Sequence, residues 1–351
     1  MVESVFAQIT VDHQVQLVQQ EIGPPAPGEV QVKALYSTIS AGTESELIAG
    51  HILPLPQPLG YSLCGEITQI GEAVRGFCVG DKVVATATHA KVQNLDHRML
   101  AKVPSGCPAD AAAFFNLAHT ALYGIRRTNL TLGEPCVILG QGLVGLLTTA
   151  LAKATGAGPI ICSDFDDNRL ALARSLGADC AVNTASSHQA LTQALSDYDL
   201  ATIPVVFEAT GARRTLEQAV ELLAEQGRLM MLSQGDGETL PNIAQGLMMK
   251  GATLIGGYVN SKPYALFRSD LKIKQRWPPQ YDGDVNKTES HQYNTSLDDI
   301  TTFLKLISLN RIDLAPLITH RFQWQDLPKA YQQVTARDAS LVGGVIDWSN
   351  P

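Results

Sequence analysis

No apolar run in this chain of 351 residues reaches the ~18–20 needed to span a bilayer, so no membrane partner is expected. Positive charge is scarce. Lys and Arg number 26 against 34 Asp and Glu, a net charge of -8. A nucleic-acid binder needs a basic face to displace counterions, so that class is excluded. Closely spaced cysteines are missing too: Cys64, Cys78, Cys107, Cys136, Cys162 and Cys180 contain no CxxC pair. That excludes a four-thiolate structural zinc site and predicts unpaired thiols in a reducing cytoplasm. Residues 1–20 lack the basic head and apolar core of a secretory signal, and residues 347–351 carry no lipidation box. The 29 Gly and 18 Pro follow no period, and 45% of residues are hydrophobic, which excludes collagen-like and disordered chains.

What is present fits two domains, at roughly 100–200 residues each. The first ~115 residues alternate short β-branched runs with Gly and Pro turns, and five glycines fall between Gly60 and Gly80. This texture predicts a compact barrel with tight corners. From about Thr131 strands and helices alternate. Strands are predicted over 135–139, 159–163, 203–207, 228–232 and 252–255, and helices over 143–154, 168–176 and 216–223. That order predicts a parallel sheet covered on both faces. A polar stretch follows over 260–296, then a helix over 298–309 and strands over 317–319 and 344–346.

Gly140-Gln141-Gly142-Leu143-Val144-Gly145 lies directly after a predicted strand and opens a predicted helix. The first glycine suits a tight turn, the second a close backbone approach to pyrophosphate, and the third helix–strand packing. The helix N-terminus, at Leu143 and Val144, offers unsatisfied N–H donors to the anion. Asp164 follows Gly145 by 19 residues, close to the ~20 at which an acidic side chain meets the ribose hydroxyls. It would repel a 2′-phosphate, so NAD is favoured over NADP. Arg169 either reaches the adenosine end or is an ordinary surface arginine.

These residues resemble the medium-chain dehydrogenase/reductase superfamily, the zinc alcohol dehydrogenase-like proteins. Gly71-Glu72-Ala73-Val74 through Phe77-Cys78-Val79-Gly80-Asp81-Lys82-Val83 is similar to the family pattern G-x-x-V-x-x-F-x-x-G-D-x-V. His119-Thr120-Ala121, the glycine loop, Leu176-Gly177-Ala178-Asp179 and Phe207-Glu208-Ala209-Thr210-Gly211 follow in family order. The resemblance implies an α/β chain in which a GroES-like β-barrel catalytic domain (1–117 and 258–351) is interrupted by a Rossmann domain (118–257). It implies an active site in the cleft between them and a homodimer or homotetramer joined near Leu254. It also implies contacts from Thr120 and Thr210 to the dinucleotide. Ser40-Ala41-Gly42-Thr43-Glu44 with Pro58-Leu59-Gly60-Tyr61-Ser62 resembles a sub-branch of bacteriochlorophyllide dehydrogenase-like and sugar- or cyclitol-linked oxidoreductases.

Departures from the family pattern bear on mechanism. Family zinc enzymes read Cys-Gly-Thr-Asp where this chain reads Ala41-Gly42-Thr43-Glu44, and Gly-His-Glu where it reads Gly60-Tyr61-Ser62. The third ligand position falls near Asn116, and the four-cysteine lobe is missing. A zinc-free site is therefore expected, with Glu44, Glu46, His51 and His119 the nearby residues that could assemble an unusual one. Without a metal, hydrogen-bond donors and a proton relay must offset the negative substrate oxygen. Thr43 aligns with the family hydroxyl that contacts that oxygen, or is a turn residue beside Gly42. Glu46 is an outer relay base or a solvated helix-face carboxylate. Glu44 is expected to cap nearby backbone N–H groups. Tyr61 is a proton donor or oxygen anchor, or packs, with Ser62 a lesser candidate of the same kind. Lys262, Arg268, Lys272, Lys274 and Arg276 could border the cleft and attract an anionic small-molecule substrate, with Trp277 and Tyr281 as an aromatic wall. The function expected is a zinc-independent, NAD-dependent oxidoreductase interconverting a secondary alcohol and a ketone on a medium-sized cyclic substrate. The alternatives are a quinone or enone reductase, against which Asp164 argues, and a non-catalytic dinucleotide-binding protein.

Overall fold

The computed structural model describes residues 1–187, 189–233, 243–261, 264 and 295–350. They divide into two compact units. One comprises Met1–Asn116, Asn260–Asn310 and Ile318–Pro351, the other Leu117–Val259 and Arg311–Leu317. The expected boundaries, 117/118 and 257/258, lie one and two residues from these, with 311–317 placed in the first unit. The first unit opens with strands β1 (Val2–Ile9), β2 (Val15–Ile22) and β3 (Glu29–Ile39) and helix α1 (Ala41–Ile48). Strands β4 (Gln57–Pro58), β5 (Leu63–Ile70), β6 (Lys82–Ala85), β7 (Val92–Asp96) and β8 (Leu100–Lys102) follow, then helix α2 (Ala109–Ala112). Helix α3 (Phe115–Arg127) carries the chain into the second unit. There β9 (Cys136–Leu139), α4 (Leu143–Thr155), β10 (Ile160–Asp164), α5 (Asp167–Ser175), β11 (Cys180–Asn183) and α6 (Gln189–Ser196) come first. They are followed by β12 (Ile203–Glu208), α7 (Arg213–Leu222), β13 (Leu223–Met231), α8 (Ala244–Lys250) and β14 (Thr253–Gly256). The remainder contributes α9 (Ser296–Ser308), β15 (His320–Gln323), α10 (Leu327–Thr335) and β16 (Gly344–Asp347) to the first unit.

In the first unit β2-β1-β4 form one sheet and β15-β16-β3-β5-β6-β8 another, with β7 also paired to β3. Ile9, Val32, Leu59, Leu63, Ile67 and Trp348, all sealed from solvent, lie in its core. In the second unit the strands run β11-β10-β9-β12-β13-β14, and every pairing is parallel. All four residues of β9 are fully buried, so it reads as a continuous apolar run, as a strand covered on both faces must. The amphipathic α7 buries Leu216, Ala219, Val220 and Leu222, and left-handed Gly156 ends α4. Among the described residues no helix is long and apolar enough to cross a membrane.

Two expectations need correction. The strand expected over 317–319 is displaced: Ala315–Leu317 is a tight turn, and the strand is β15, in parallel register with β16. The helix expected to open at Leu216 opens at Arg213. His119 and Thr120 lie on α3. The basic stretch from Lys262 to Arg276, with Trp277 and Tyr281, lies outside the described residues.

Candidate functional site

The sheet order of the second unit changes direction at β9, which lies between β10 and β12. In open α/β sheets such a switch point, at the carboxyl ends of the strands, is where dinucleotides bind. The glycine loop leaves β9 there. Gly140 has φ +86, and a Cβ on it would lie 2.6 Å from Thr210 Cγ2. A Cβ on Gly145 would lie 1.9 Å from Gly140 O, so any side chain there displaces the loop. Gly142 precedes α4, and nothing lies within 4 Å of where its Cβ would be, which leaves its approach open. These are the three tasks the motif requires of its glycines.

Sequence reasoning passed over Gln141. Its buried amide donates to Ile138 O at 3.1 Å and accepts from Thr149 Oγ1 at 3.1 Å, so it braces the loop from beneath. Asp164 is half-buried at the end of β10. Its Oδ2 accepts from Gln141 N at 2.6 Å, and its Oδ1 from Phe165 N at 2.7 Å and Asp166 N at 3.1 Å. A carboxylate has about four acceptor sites, so capacity remains for a ribose hydroxyl. Arg169 is half-buried on α5, and among the described residues its Nε has no hydrogen-bond partner. Thr210 is exposed, and its hydroxyl bonds the carboxylate of Glu208 and lies 2.6 Å from Thr215 Oγ1. Buried Glu208 also accepts from Thr210 N at 2.7 Å, Gly211 N at 3.1 Å and Ser233 Oγ at 2.6 Å, pinning the turn after β12. An acidic residue ending a buried strand is its signal in the sequence. Thr120 is half-buried on α3. The loop, Asp164 and the Thr210 turn thus fit a dinucleotide.

In the first unit the structure brings Ser40, Thr43 and Tyr61 together. The Tyr61 phenol donates to Ser40 Oγ, and Thr43 reaches the same phenolic oxygen. Burial pushes Tyr61 up to about 12, with the Glu44 charge adding to the rise and the Ser40 and Thr43 hydroxyls opposing it. The phenol is therefore a persistent donor. Ser62 is turned away, its Oγ donating to Ala113 O at 2.6 Å. Glu46 is exposed on α1, and His51 Nδ1 engages its carboxylate at 2.8 Å, so the structure does not gather it with Thr43 and Tyr61.

Glu44 is fully buried and caps as expected, its Oε2 accepting from Ser40 N at 2.8 Å. The same oxygen accepts from Tyr331 Oη at 2.7 Å, and His89 Nε2 stands 3.3 Å from Oε1. His89 Nε2 lies 2.7 Å from Tyr331 Oη and its Nδ1 2.7 Å from Ser37 Oγ, which accepts from Trp348 Nε1 at 2.8 Å. None of Ser37, His89, Tyr331 and Trp348 stood out in the sequence, since each lies outside any motif and all but Ser37 lie far from Glu44 along the chain.

The residues at the family ligand positions do not fit zinc. Ala41 offers a methyl group. Tyr61 offers a phenol committed to Ser40. Asn116 offers an amide whose Nδ2 donates to Tyr61 O at 2.8 Å and Thr86 Oγ1 at 3.0 Å. Zinc asks for thiolate, imidazole or carboxylate. Among the described residues no group of three or more His, Cys, Asp or Glu is arranged to hold a metal ion.

Two family models match the chain: "Alcohol dehydrogenase GroES-like domain" over residues 26–124 and "Zinc-binding dehydrogenase" over residues 144–272. The chain belongs to the medium-chain dehydrogenase/reductase superfamily. It is 25% identical over 348 residues to an L-threonine 3-dehydrogenase of Pyrococcus horikoshii, covering 89% of each chain. Two solved structures share the fold. An Escherichia coli short chain alcohol dehydrogenase complexed with NADH has TM-score 0.79 and 19% identity, covering 99% of this chain and 100% of that one. The galactitol-1-phosphate dehydrogenase of Escherichia coli has TM-score 0.80 and 20% identity, covering 98% of this chain and 99% of that one. As a member of this superfamily the chain is an oxidoreductase of the dehydrogenase type, with a dinucleotide cofactor.

Two predictions follow from the close contacts. Gly145→Ala forces its Cβ onto Gly140 O, so the dissociation constant for the dinucleotide rises at least tenfold, measured by fluorescence titration. Glu44→Ala strips His89 and Tyr331 of a buried partner. Loss of about 3–5 kcal/mol is expected, read from a denaturant midpoint.

Proposed function

We propose that the chain is an NAD-dependent, zinc-independent dehydrogenase that interconverts a secondary alcohol and a ketone on a medium-sized cyclic substrate. The observation that carries this is the Tyr61 phenol, held between Ser40 and Thr43 at a position where zinc relatives place a ligand. The names of the relatives, L-threonine 3-dehydrogenase and galactitol-1-phosphate dehydrogenase, support alcohol chemistry. The resemblance of residues 40–44 and 58–62 to sugar- and cyclitol-linked oxidoreductases supports a ring substrate.

A bound nicotinamide would supply or accept the hydride. The chain's own residues must then handle the substrate oxygen. During ketone reduction that oxygen becomes negative, and Tyr61 donates its hydrogen to it. Ser40 and Thr43 flank the phenol and can pass a proton back to it. During alcohol oxidation the proton leaves by the same hydroxyls in reverse. Asp164 favours NAD, because its carboxylate would face a 2′-phosphate with like charge. The exposed edge strand β14, with Leu254 38% exposed, supports a homodimer or homotetramer.

Tyr61→Phe keeps the ring and removes the donor. Ketone reduction should slow by roughly 10²–10⁴-fold, with little change in dinucleotide affinity. Dialysis of the parent chain against a chelator should leave its rate intact. A rate abolished by chelation and restored by Zn²⁺ would sink zinc independence. Because the Tyr61 phenol loses its proton only toward about 12, its ionisation should not lower the reduction rate at any pH well below that. Dinucleotide binding without turnover of any alcohol or ketone would leave a non-catalytic binder.

Asp164→Ser removes the charge that would oppose a 2′-phosphate. The ratio of kcat/KM for NAD to that for NADP should fall at least tenfold, and an unchanged ratio would show that Asp164 does not select the cofactor.

A further inference from the structure

The Glu44 cluster is sealed from water, yet it touches the elements that carry the candidate donor. Part of its hydrogen-bond order follows from donor chemistry. An indole N–H only donates, so Ser37 Oγ accepts from Trp348. Ser37 Oγ lies 2.7 Å from His89 Nδ1. Tyr331 spends its hydrogen on Glu44 Oε2, so its oxygen accepts from His89 Nε2. His89 Nε2 thus carries a hydrogen, and the bonds from it through Tyr331 point toward Glu44. The same Oε2 accepts the Ser40 N–H at the start of α1. Ser40 Oγ in turn receives the Tyr61 hydrogen.

A second contact ties His89 to Tyr61 by another route. Gly60, immediately before Tyr61, has φ +95, and a Cβ there would lie 2.5 Å from His89 Cδ2 and Cγ. The imidazole therefore lies directly on the Gly60 backbone. His89 N also donates to Leu59 O at 2.8 Å. The turn that presents Tyr61 is built on His89.

We propose that His89 and Tyr331 are positioning residues for the reaction: acting through Glu44, they fix Ser40 and so the direction in which Tyr61 presents its phenolic hydrogen. The proposal rests on the reading of Tyr61 as donor to the substrate oxygen, and it adds two residues that lie outside every family motif. Burial and the Glu44 charge push Tyr331 well above its ordinary value, which keeps it a donor.

The test uses the full chain with Tyr331→Phe, His89→Leu and His89→Gln, each checked for a cooperative melt. Glutamine retains an N–H donor and an acceptor at the imidazole position, and leucine retains neither. The chain carries isotope-labelled tyrosine, and the Tyr61 resonance is identified by its loss in Tyr61→Phe. That resonance should move in Tyr331→Phe and His89→Leu and return to the parent position in His89→Gln. A Tyr61 resonance that stays in place in Tyr331→Phe overturns the proposal, whether or not a substrate is turned over. Should Tyr331→Phe fail to fold, Glu44→Gln provides the same comparison. With a turned-over ketone, kcat should fall roughly 10²-fold in Tyr331→Phe while the dinucleotide KM holds. Equal losses in His89→Leu and His89→Gln would also overturn it. A chain that shows the resonance shifts but turns over no ketone or alcohol keeps the coupling and discards the dehydrogenase reading.

Discussion

A carboxylate with no access to water must be met by donors, and Glu44 imposes that requirement on the first unit. An unpaired buried charge is destabilising by several kcal/mol, a large share of the ~5–15 kcal/mol that holds a domain folded. Its donors come from widely separated parts of the chain, Ser40 N at the start of α1 and Tyr331 on α10, while His89, between β6 and β7, bonds Tyr331 and stands 3.3 Å from Oε1. Trp348, just beyond β16, completes the set through Ser37 on β3. Register in the large sheet is thereby coupled to the placement of α10. Ser37 pairs with Ile346 on one side and Leu63 on the other, so a slip of β16 or β5 would disturb the hydroxyl that orients His89.

The second unit applies the same principle to loop order. Asp164 and Glu208 each end a parallel strand, and each turns its carboxylate onto backbone N–H groups of a neighbouring turn. Asp164 clamps the glycine loop through Gln141 N, and Glu208 clamps the Thr210 turn that packs on Gly140. The acid that would recognise the ribose is therefore also part of the frame that shapes the phosphate loop. If Asp164 also selects the cofactor, as proposed, cofactor choice and loop order share one side chain, and substituting it would change two properties together.

The second unit was the more legible from sequence. Its strands are continuous apolar runs, its phosphate loop is contiguous, and Asp164 sits at a fixed spacing from it. Local chemistry decides all three. Thr43 and Tyr61 were also visible, Thr43 because it keeps the hydroxyl of the family pattern and Tyr61 because it stands where that pattern has a histidine. Glu44 was legible as a cap but not as the centre of a cluster. Its partners Tyr331 and His89 are separated from it by hundreds and tens of residues, and no periodicity announces a long-range hydrogen bond. Helix α10 carries the stripe Leu327, Ala330, Tyr331 and Val334, but that pattern describes burial and hides the one phenol that also donates. The strand misplaced at 317–319 shows the same limit. Pairing with β16, not local propensity, decides where β15 begins.

On the proposed zinc-independent reading, hydroxyls take the place of a metal, and that changes what the protein must control. A Lewis acid attracts the substrate oxygen from any direction open to it, whereas a hydroxyl has one hydrogen and must aim it. In the resting chain the Tyr61 hydrogen is already directed at Ser40 Oγ. In the proposed reaction a substrate oxygen would have to win that hydrogen from Ser40, and would do so more readily as negative charge develops on it. The burial that raises Tyr61 to about 12 favours this order of events. It keeps the phenol from ionising before the substrate arrives, and the low dielectric strengthens the bond once charge appears. On that reading Ser40 would have to hold still while the hydrogen is exchanged, because its oxygen would be both the competitor before reaction and the neighbour that restores the proton afterwards. Glu44 anchors the Ser40 backbone, and its full burial keeps water from competing for the same N–H.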